Sequence, residues 1–258
     1  LVSQLDDEFR DKGLIAASTG NHGQSVAYAG REFDVPVVIC VPEDANPGKV
    51  RAMERLGAQI EYHGETFDEA REHAEELAAE EGYRYVHSAN EPALVAGVGT
   101  AGLEVVEDLP DVDVFFSPVG GGSSASGYCL TVGELTDAEV IGVQSAAAPA
   151  MHRAWSEGTL EPHETMDTTA EGLATSVPFA VTTELLRERL DEFVLVEDSA
   201  LWEGVERMLA EDHVLMEAAC ATGVAAALER KGELAGQTVA FPVSGRNLAL
   251  DKLRSILD

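Results

Sequence analysis

Val114-Phe115-Phe116-Ser117-Pro118-Val119 runs straight into Gly120-Gly121-Gly122-Ser123-Ser124-Ala125-Ser126-Gly127. The first six residues are a short apolar run of β-formers, the pattern of a buried strand. Three glycines followed by small hydroxyl residues describe a tight turn that opens a helix. Without Cβ atoms such a turn can aim successive backbone N–H groups at one point. The helix start adds its own N–H groups and the positive end of its dipole. That combination suits a phosphate. A lone GGG is also what a turn without a ligand looks like, so the rest of the chain has to decide.

Working outward, strand and helix patterns alternate. Gly13 to Ala17 reads as a strand, followed by the turn Ser18-Thr19-Gly20-Asn21-His22-Gly23-Gln24 and a helix through Phe33. Strands are expected at Val35–Val41, Ala58–Tyr62 and Tyr83–His87, with a helix from Pro47 to Leu56 between the first two. Thr66-x-x-Glu69 is a capping box, and Phe67, Ala70, Ala74, Leu77 and Ala78 make one apolar stripe behind it. Pro92 starts a long helix reaching Asp108. Beyond the glycine stretch come strands at Val140–Gln144, Phe193–Val196 and Thr238–Val243, with a polar, irregular segment from Ser156 to about Thr183. Asp198 or Ser199 should cap the helix carrying Leu201, Trp202, Val205, Met208 and Leu209, and a second helix follows Glu217. The alternation predicts an α/β fold of two parallel-sheet, three-layer units, with a smaller domain at 1–90 and a larger one at 91–258. Ligands in such sheets sit beyond the carboxyl ends of the strands. Three turns at those ends, Ser18–Gln24, Gly120–Ser124 and Ser244–Asn247, could therefore converge on one small-molecule crevice.

Composition narrows the setting. The 258 residues carry 47 Asp+Glu against 17 Lys+Arg, a formal net charge of −30. Such a surface repels nucleic acid and anionic membranes. The acidic residues are spread along the helices rather than gathered in a tail, which reads as adaptation to high salt, where screening relieves self-repulsion. No apolar run is long enough to span a membrane, and Leu1-Val2-Ser3-Gln4-Leu5 has the look of mid-helix rather than of a signal peptide. Cys40, Cys129 and Cys220 have no metal or redox spacing and read as buried thiols of a reducing, cytoplasmic compartment. The seven histidines make no ligand set, so no metal site is expected.

A literal G-x-G-x-x-G occurs at Gly97-Val98-Gly99-Thr100-Ala101-Gly102, but its context is helical, with no strand before it. Helix packing on small residues is the better reading. The three turns together are more specific. Ala17-Ser18-Thr19-Gly20-Asn21-His22-Gly23-Gln24, Pro42 with Asn46-Pro47-x-Lys49, Gly57-Ala58, Phe67-Asp68-Glu69-Ala70, Ala96-Gly97-x-Gly99-Thr100-x-Gly102-Leu103-Glu104, Val119-Gly120-Gly121-Gly122 and Ser244-Gly245-x-Asn247 follow one another in order. In this order, over nearly the whole chain, they resemble the pyridoxal-phosphate-dependent serine/threonine dehydratase (threonine ammonia-lyase) family. Its fold is fold type II, tryptophan-synthase-β-like.

That resemblance implies the cofactor pyridoxal 5'-phosphate, with its phosphate on Gly120, Gly121, Gly122, Ser123 and Ser124. Asn21 would hydrogen-bond the ring hydroxyl, and Ser244 would face the pyridine nitrogen. A neutral hydroxyl there makes the ring a weaker electron sink than a carboxylate would, which suits rapid loss of a β-substituent. Ser18, Thr19 and His22, with Asn21, resemble the loop that grips the substrate carboxylate, although His22 is as well explained by a hydrogen bond inside the turn. Glu217 matches an acidic position near the cofactor and is equally readable as a helix cap. A homodimer is implied as well.

The departures matter as much. The family's Schiff-base lysine lies in a Ser-Phe-Lys-x-Arg-Gly segment. The four lysines here stand elsewhere: Lys12 in a polar turn, Lys49 opening a surface helix, Lys231 ending a helix, Lys252 on the last one. The segment with the catalytic lysine is expected shortly before Leu1, with no catalytic residue in the chain itself. Relatives that racemise carry a serine where Thr19 stands, which favours one-sided elimination. Relatives that bind a divalent cation carry a glutamate where Gln144 stands, and no C-terminal regulatory domain is expected after Asp258. The function expected is elimination of water from L-threonine or L-serine to give a 2-oxo acid and ammonia. Racemisation, β-replacement or a catalytically inactive binding domain are the alternatives.

Overall fold

The computed structural model describes residues 1–257. The chain forms two compact units, Leu1–Ser88 and Ala89–Asp258. The first contains, in order, α1 (Asp7–Lys12), β1 (Leu14–Ala17), α2 (Asn21–Phe33), β2 (Val37–Val41), α3 (Pro47–Arg55), β3 (Gln59–Tyr62), α4 (Phe67–Glu81) and β4 (Arg84–Tyr85). The second begins with α5 (Pro92–Asp108), β5 (Val114–Pro118), α6 (Ser123–Cys129), α7 (Val132–Leu135), β6 (Glu139–Ser145) and α8 (Ala150–Glu157). It continues with α9 (Ala180–Arg189), β7 (Glu192–Val196), α10 (Asp198–Glu211), α11 (Thr222–Glu229), β8 (Val239–Ala240) and α12 (Leu250–Leu257).

Each unit has one four-stranded sheet, ordered β3-β2-β1-β4 and β7-β6-β5-β8, and every strand pairing is parallel. β1 and β2 are buried at every position, as strands covered on both faces must be. In the first unit Ile15, Ala17, Val38 and Cys40 pack on Ala70 and Ala74 of α4. α2 and α3 cover the opposite face, where Gly23 and Gly30 bring α2 against Ile39 and Val37. In the second unit Val114, Phe116, Ile141 and Val143 face Leu201 and Val205 of α10 and Val224 of α11. Phe115, Val140 and Phe193 face Tyr128, Met151 and Leu186 on the other side. The period of two along β5 thus separates two cores, giving three layers in each unit.

Several elements differ from their sequence reading. Pairing in the stretch 83–87 is confined to Arg84–Tyr85, because the Val86 carbonyl turns to His22 instead of extending the ladder. The last strand is Val239–Ala240 only, ending before Pro242, which has no N–H to donate. Val2–Gln4 form a 3-10 turn rather than a helix, and Lys12 ends α1 rather than lying in a turn. The segment 156–183 is less irregular than expected. α8 runs into it to Glu157, Glu171–Leu173 form a 3-10 turn, and α9 begins at Ala180. Phe67, assigned to the apolar stripe of α4, is 43% exposed, whereas Ala70 and Ala74 are fully buried. The capping box before them is present, Glu69 N donating to Thr66 Oγ1 at 3.3 Å and Thr66 N to Glu69 Oε2 at 3.0 Å.

Candidate active site

A sheet ordered 7-6-5-8 changes direction at its β5/β8 neighbours, and an α/β ligand site forms at such a switch point beyond the carboxyl ends of the strands. Gly120–Ser124 leave β5 there, and Ser244–Asn247 follow β8. Gly122 is the N-cap of α6 with φ 90°, in the left-handed region, and having no side chain it accepts none of the N–H groups that open the helix. Gly120 is held by close approach: a Cβ there would collide with the Gly172 carbonyl oxygen. A Cβ on Gly121 would stand 3.1 Å from both the Ala89 Cβ and the Phe179 ring, and one on Gly122 would stand 2.9 Å from the Thr182 Cβ. Thr182 also donates its hydroxyl to the Gly121 carbonyl at 2.7 Å. The turn is therefore fastened to α9 through the Gly121 carbonyl and lies with the Cα of Gly120 against the 3-10 turn Glu171–Leu173. Ser123 and Ser124 are only partly buried at the helix start.

The second turn is tied to the first. Gly172, whose carbonyl abuts Gly120, lies with its Cα hydrogens against the Ala219 Cβ and the Glu217 carboxylate, and that carboxylate also abuts Gly245. Glu217 N donates to the Gly245 carbonyl at 3.1 Å, and Gly245 N donates to Cys220 Sγ at 3.1 Å. The structure thus brings Gly120–Ser124 and Ser244 into one neighbourhood through residues that sequence reading did not single out for this part. Gly172, Thr182 and Cys220 lie outside the motifs quoted above, and only Glu217 had been marked. Its cap alternative is half met: Glu217 is the N-cap of the 3-10 turn Ala218–Ala221, yet its carboxylate packs on Gly245 and does not cap the turn.

Ser18, Thr19, Asn21 and His22 belong to the other unit, where they form the bend between β1 and α2. Ser18 is buried, and its Oγ accepts from Gly20 N at 3.1 Å and Gly23 N at 2.9 Å, serving as the cap that the N-cap Gly20 cannot supply. His22 Nε2 lies 2.9 Å from the Val86 carbonyl, so that nitrogen carries the proton. Burial holds the ring's pKa below its usual value of 6.5, outweighing the bond to Val86, and the imidazole is neutral. In that tautomer Nδ1 has no proton to give a carboxylate, so the hydrogen bond inside the bend is the role the geometry describes. Asn21 opens α2 and is exposed, and Thr19 is partly buried. These four residues share one bend at the carboxyl end of β1, whose neighbours β2 and β4 make it the switch strand of its own sheet.

The remaining candidates resolve into structure. Gly97 to Gly102 lie within α5, with Gly99 against Gly127 of α6 and Gly102 against Thr131, which is helix packing. Gln144 is fully buried, and its Oε1 caps α8 by accepting from His152 N at 3.0 Å. Asp198 does not cap α10, whose N-cap is Glu197. Its carboxylate instead takes the Ser145 hydroxyl at 2.6 Å, the Thr168 hydroxyl at 2.8 Å, and Thr169 through N at 2.6 Å and Oγ1 at 2.8 Å. Those bonds outweigh burial and hold its pKa below the usual value. Lys231 lies in the turn after α11, beyond the helix it was expected to end. Among the described residues no group of three His, Cys, Asp or Glu could hold a metal ion, and no helix is long and apolar enough to cross a membrane.

A glycine turn with uncapped helix N–H groups and a hydroxyl turn beside it, at the carboxyl ends of a parallel sheet, suit a phosphorylated small molecule. The cradle fits pyridoxal phosphate: its backbone donors suit a phosphate, and the neutral Ser244 suits a pyridine nitrogen. Residues 1–245 match the family described as pyridoxal-phosphate dependent enzyme, and the chain belongs to that family. The L-threonine ammonia-lyase of Thermotoga maritima is 38% identical over all 258 residues, which span 64% of that relative's length, short of two thirds. The processed form of threonine deaminase isoform 2 from Solanum lycopersicum superposes with a TM-score of 0.94 at 31% identity, covering 98% of this chain and 75% of that one. Serine racemase from Dictyostelium discoideum gives 0.88 at 29%, covering 96% and 81%. The fold is that of the type II pyridoxal-phosphate enzymes.

Proposed function

We propose that the protein to which this chain belongs is a threonine/serine ammonia-lyase. It would remove water from L-threonine or L-serine to leave a 2-oxo acid and ammonia. The observation that carries the reading is the likeness to L-threonine ammonia-lyase, which covers the whole chain and with it all three turns. Bound pyridoxal phosphate supplies an electron sink that makes the α-proton of an amino acid removable. In this reading the N–H groups of Gly120 to Ser124 bind its phosphate. Ser244 meets its ring nitrogen with a neutral hydroxyl, and Asn21 holds its ring hydroxyl and so the tilt of the ring. Backbone N–H groups and the Ser18, Thr19 and Asn21 side chains orient the substrate carboxylate, while His22 fixes the bend through Val86.

Three expected properties accompany it. The charge of −30 and the exposure of nearly every acidic side chain support a working environment of high salt. Three buried free thiols support a cytoplasmic setting, and the family resemblance supports a homodimer. The test is borohydride reduction of the full-length protein, followed by assay with L-threonine and L-serine. Expected are a mass gain of one reduced pyridoxal phosphate on a lysine other than Lys12, Lys49, Lys231 and Lys252, and release of a 2-oxo acid. The likeness to serine racemase supports a second reading, racemisation. Release of D-serine without the 2-oxo acid would establish it in place of the first.

A further inference from the structure

We propose that Cys220 is a positioning residue for Ser244, its thiol holding the Ser244 hydroxyl in the orientation that meets the cofactor's ring nitrogen. The inference rests on the reading of Ser244 given above and deepens it. Ser244 to Asn247 have no regular secondary structure, so the direction of the Ser244 side chain has to be set by contacts. Cys220 supplies them. Its Sγ stands 3.6 Å from Ser244 Oγ, accepts from Gly245 N at 3.1 Å, and lies 3.5 Å from the Gly245 carbonyl oxygen, to which it can donate.

Cys220 is itself well anchored. It is 2% exposed, lies in the 3-10 turn Ala218–Ala221, and belongs to the core between β5, β6, α10 and α11. The other two cysteines, Cys40 in β2 and Cys129 in α6, are buried fillers of their cores. Burial pushes the Cys220 thiol up, so it keeps its hydrogen. A thiol is a weak, neutral donor. The thiol's one hydrogen has two acceptors in reach, the Gly245 carbonyl and Ser244 Oγ; given to Ser244 Oγ, it leaves the serine's own hydrogen to point outward at an acceptor. A hydrogen bond of this kind contributes about 0.5–1.5 kcal/mol, roughly a two- to tenfold change in affinity for what it positions.

The experiment titrates the apo form of the full-length protein with pyridoxal phosphate, recording affinity and the visible band of the bound cofactor. It compares wild type with Ser244→Ala, Cys220→Ala, Cys220→Ser and the double alanine variant. Ser244→Ala is expected to shift the band and weaken binding. Cys220→Ala should shift it in the same direction and weaken binding roughly two- to tenfold. Cys220→Ser, which keeps a donor, should restore the band, and Cys220→Ala should add nothing in the Ser244→Ala background. A silent Cys220→Ala beside an active Ser244→Ala would overturn the inference alone. So would a Cys220→Ala effect that persists undiminished in the double variant. A silent Ser244→Ala would overturn the underlying reading of Ser244, and the inference with it.

Discussion

The two bends that carry the candidate site solve the same problem by opposite means. Each follows a buried central strand, β1 or β5, and each opens a helix whose first N–H groups need partners. In the first unit a side chain supplies the partner, Ser18 Oγ taking the N–H groups of Gly20 and Gly23, so that bend is closed upon itself. In the second, Gly122 stands where a capping side chain would be, and what is tied down is the Gly121 carbonyl, to Thr182. A helix start satisfied from within can present side chains; one left open can receive an anion. The proposed roles, a substrate loop in the first unit and a phosphate loop in the second, rest on that difference.

The sharpest way to break the comparison is at Gly120. Gly120→Ala drives a methyl group into the Gly172 carbonyl, which has no flexible end to give way. A loss of about 1–3 kcal/mol in stability, with cofactor binding abolished, is expected in thermal melts and titration. Gly23→Ala in the other bend should cost less. Its nearest neighbour is the Met53 thioether sulfur, in a flexible side chain, with Ser18 Cβ at 3.2 Å and Ile39 Cγ2 at 3.3 Å. Next in size is Ser18→Ala, which leaves two helix-start donors without their acceptor. About 1–2 kcal/mol of stability should go, with pyridoxal phosphate affinity changing far less than in Gly120→Ala.

Acid sensitivity sharpens the same contrast with smaller effects. His22 has a lower pKa folded than unfolded, so the unfolded state binds the extra proton. Its contribution is intact above 6.5 and declines as pH falls from there through the folded value. His22→Gln should flatten that part of the pH–stability curve. Asp198 also has a depressed pKa, and its contribution is present above 3.8 and lost as pH falls through the lower folded value. Asp198→Asn should remove acid sensitivity only at that lower pH. Urea melts across pH would separate the two, and identical profiles for both variants would contradict the assignment.

Much of this architecture was legible in the sequence because it is written in local pattern. The apolar run Val35–Val41 between helices reads as a strand, of which Val37–Val41 pairs, Thr66 and Glu69 declare a helix start, and Pro92 opens α5. The glycine turn is legible as a turn from its three adjacent Gly residues, whereas its use for a ligand rests on the order of all three turns. What stayed hidden depends on chain-distant approach. No pattern announces that Gly172 lends its carbonyl to Gly120, that Asp198 collects Ser145, Thr168 and Thr169 instead of capping its own helix, or that Cys220 reaches Gly245 and Ser244. Strand ends were misjudged where a carbonyl was diverted, at Val86, or a proline interrupted the donors, at Pro242.

If the open helix start after β5 holds the cofactor's phosphate, Ser123→Asp is the variant that should expel it. A carboxylate at the first position of α6 favours the helix through its dipole, so the melting temperature should hold or rise. It also repels a phosphate by about 3 kcal/mol, roughly a hundredfold in affinity. Titrating the full-length protein with pyridoxal phosphate and with pyridoxal, the account predicts that the variant loses its affinity for the first and keeps its affinity for the second. Equal affinities of variant and wild type for pyridoxal phosphate would contradict it.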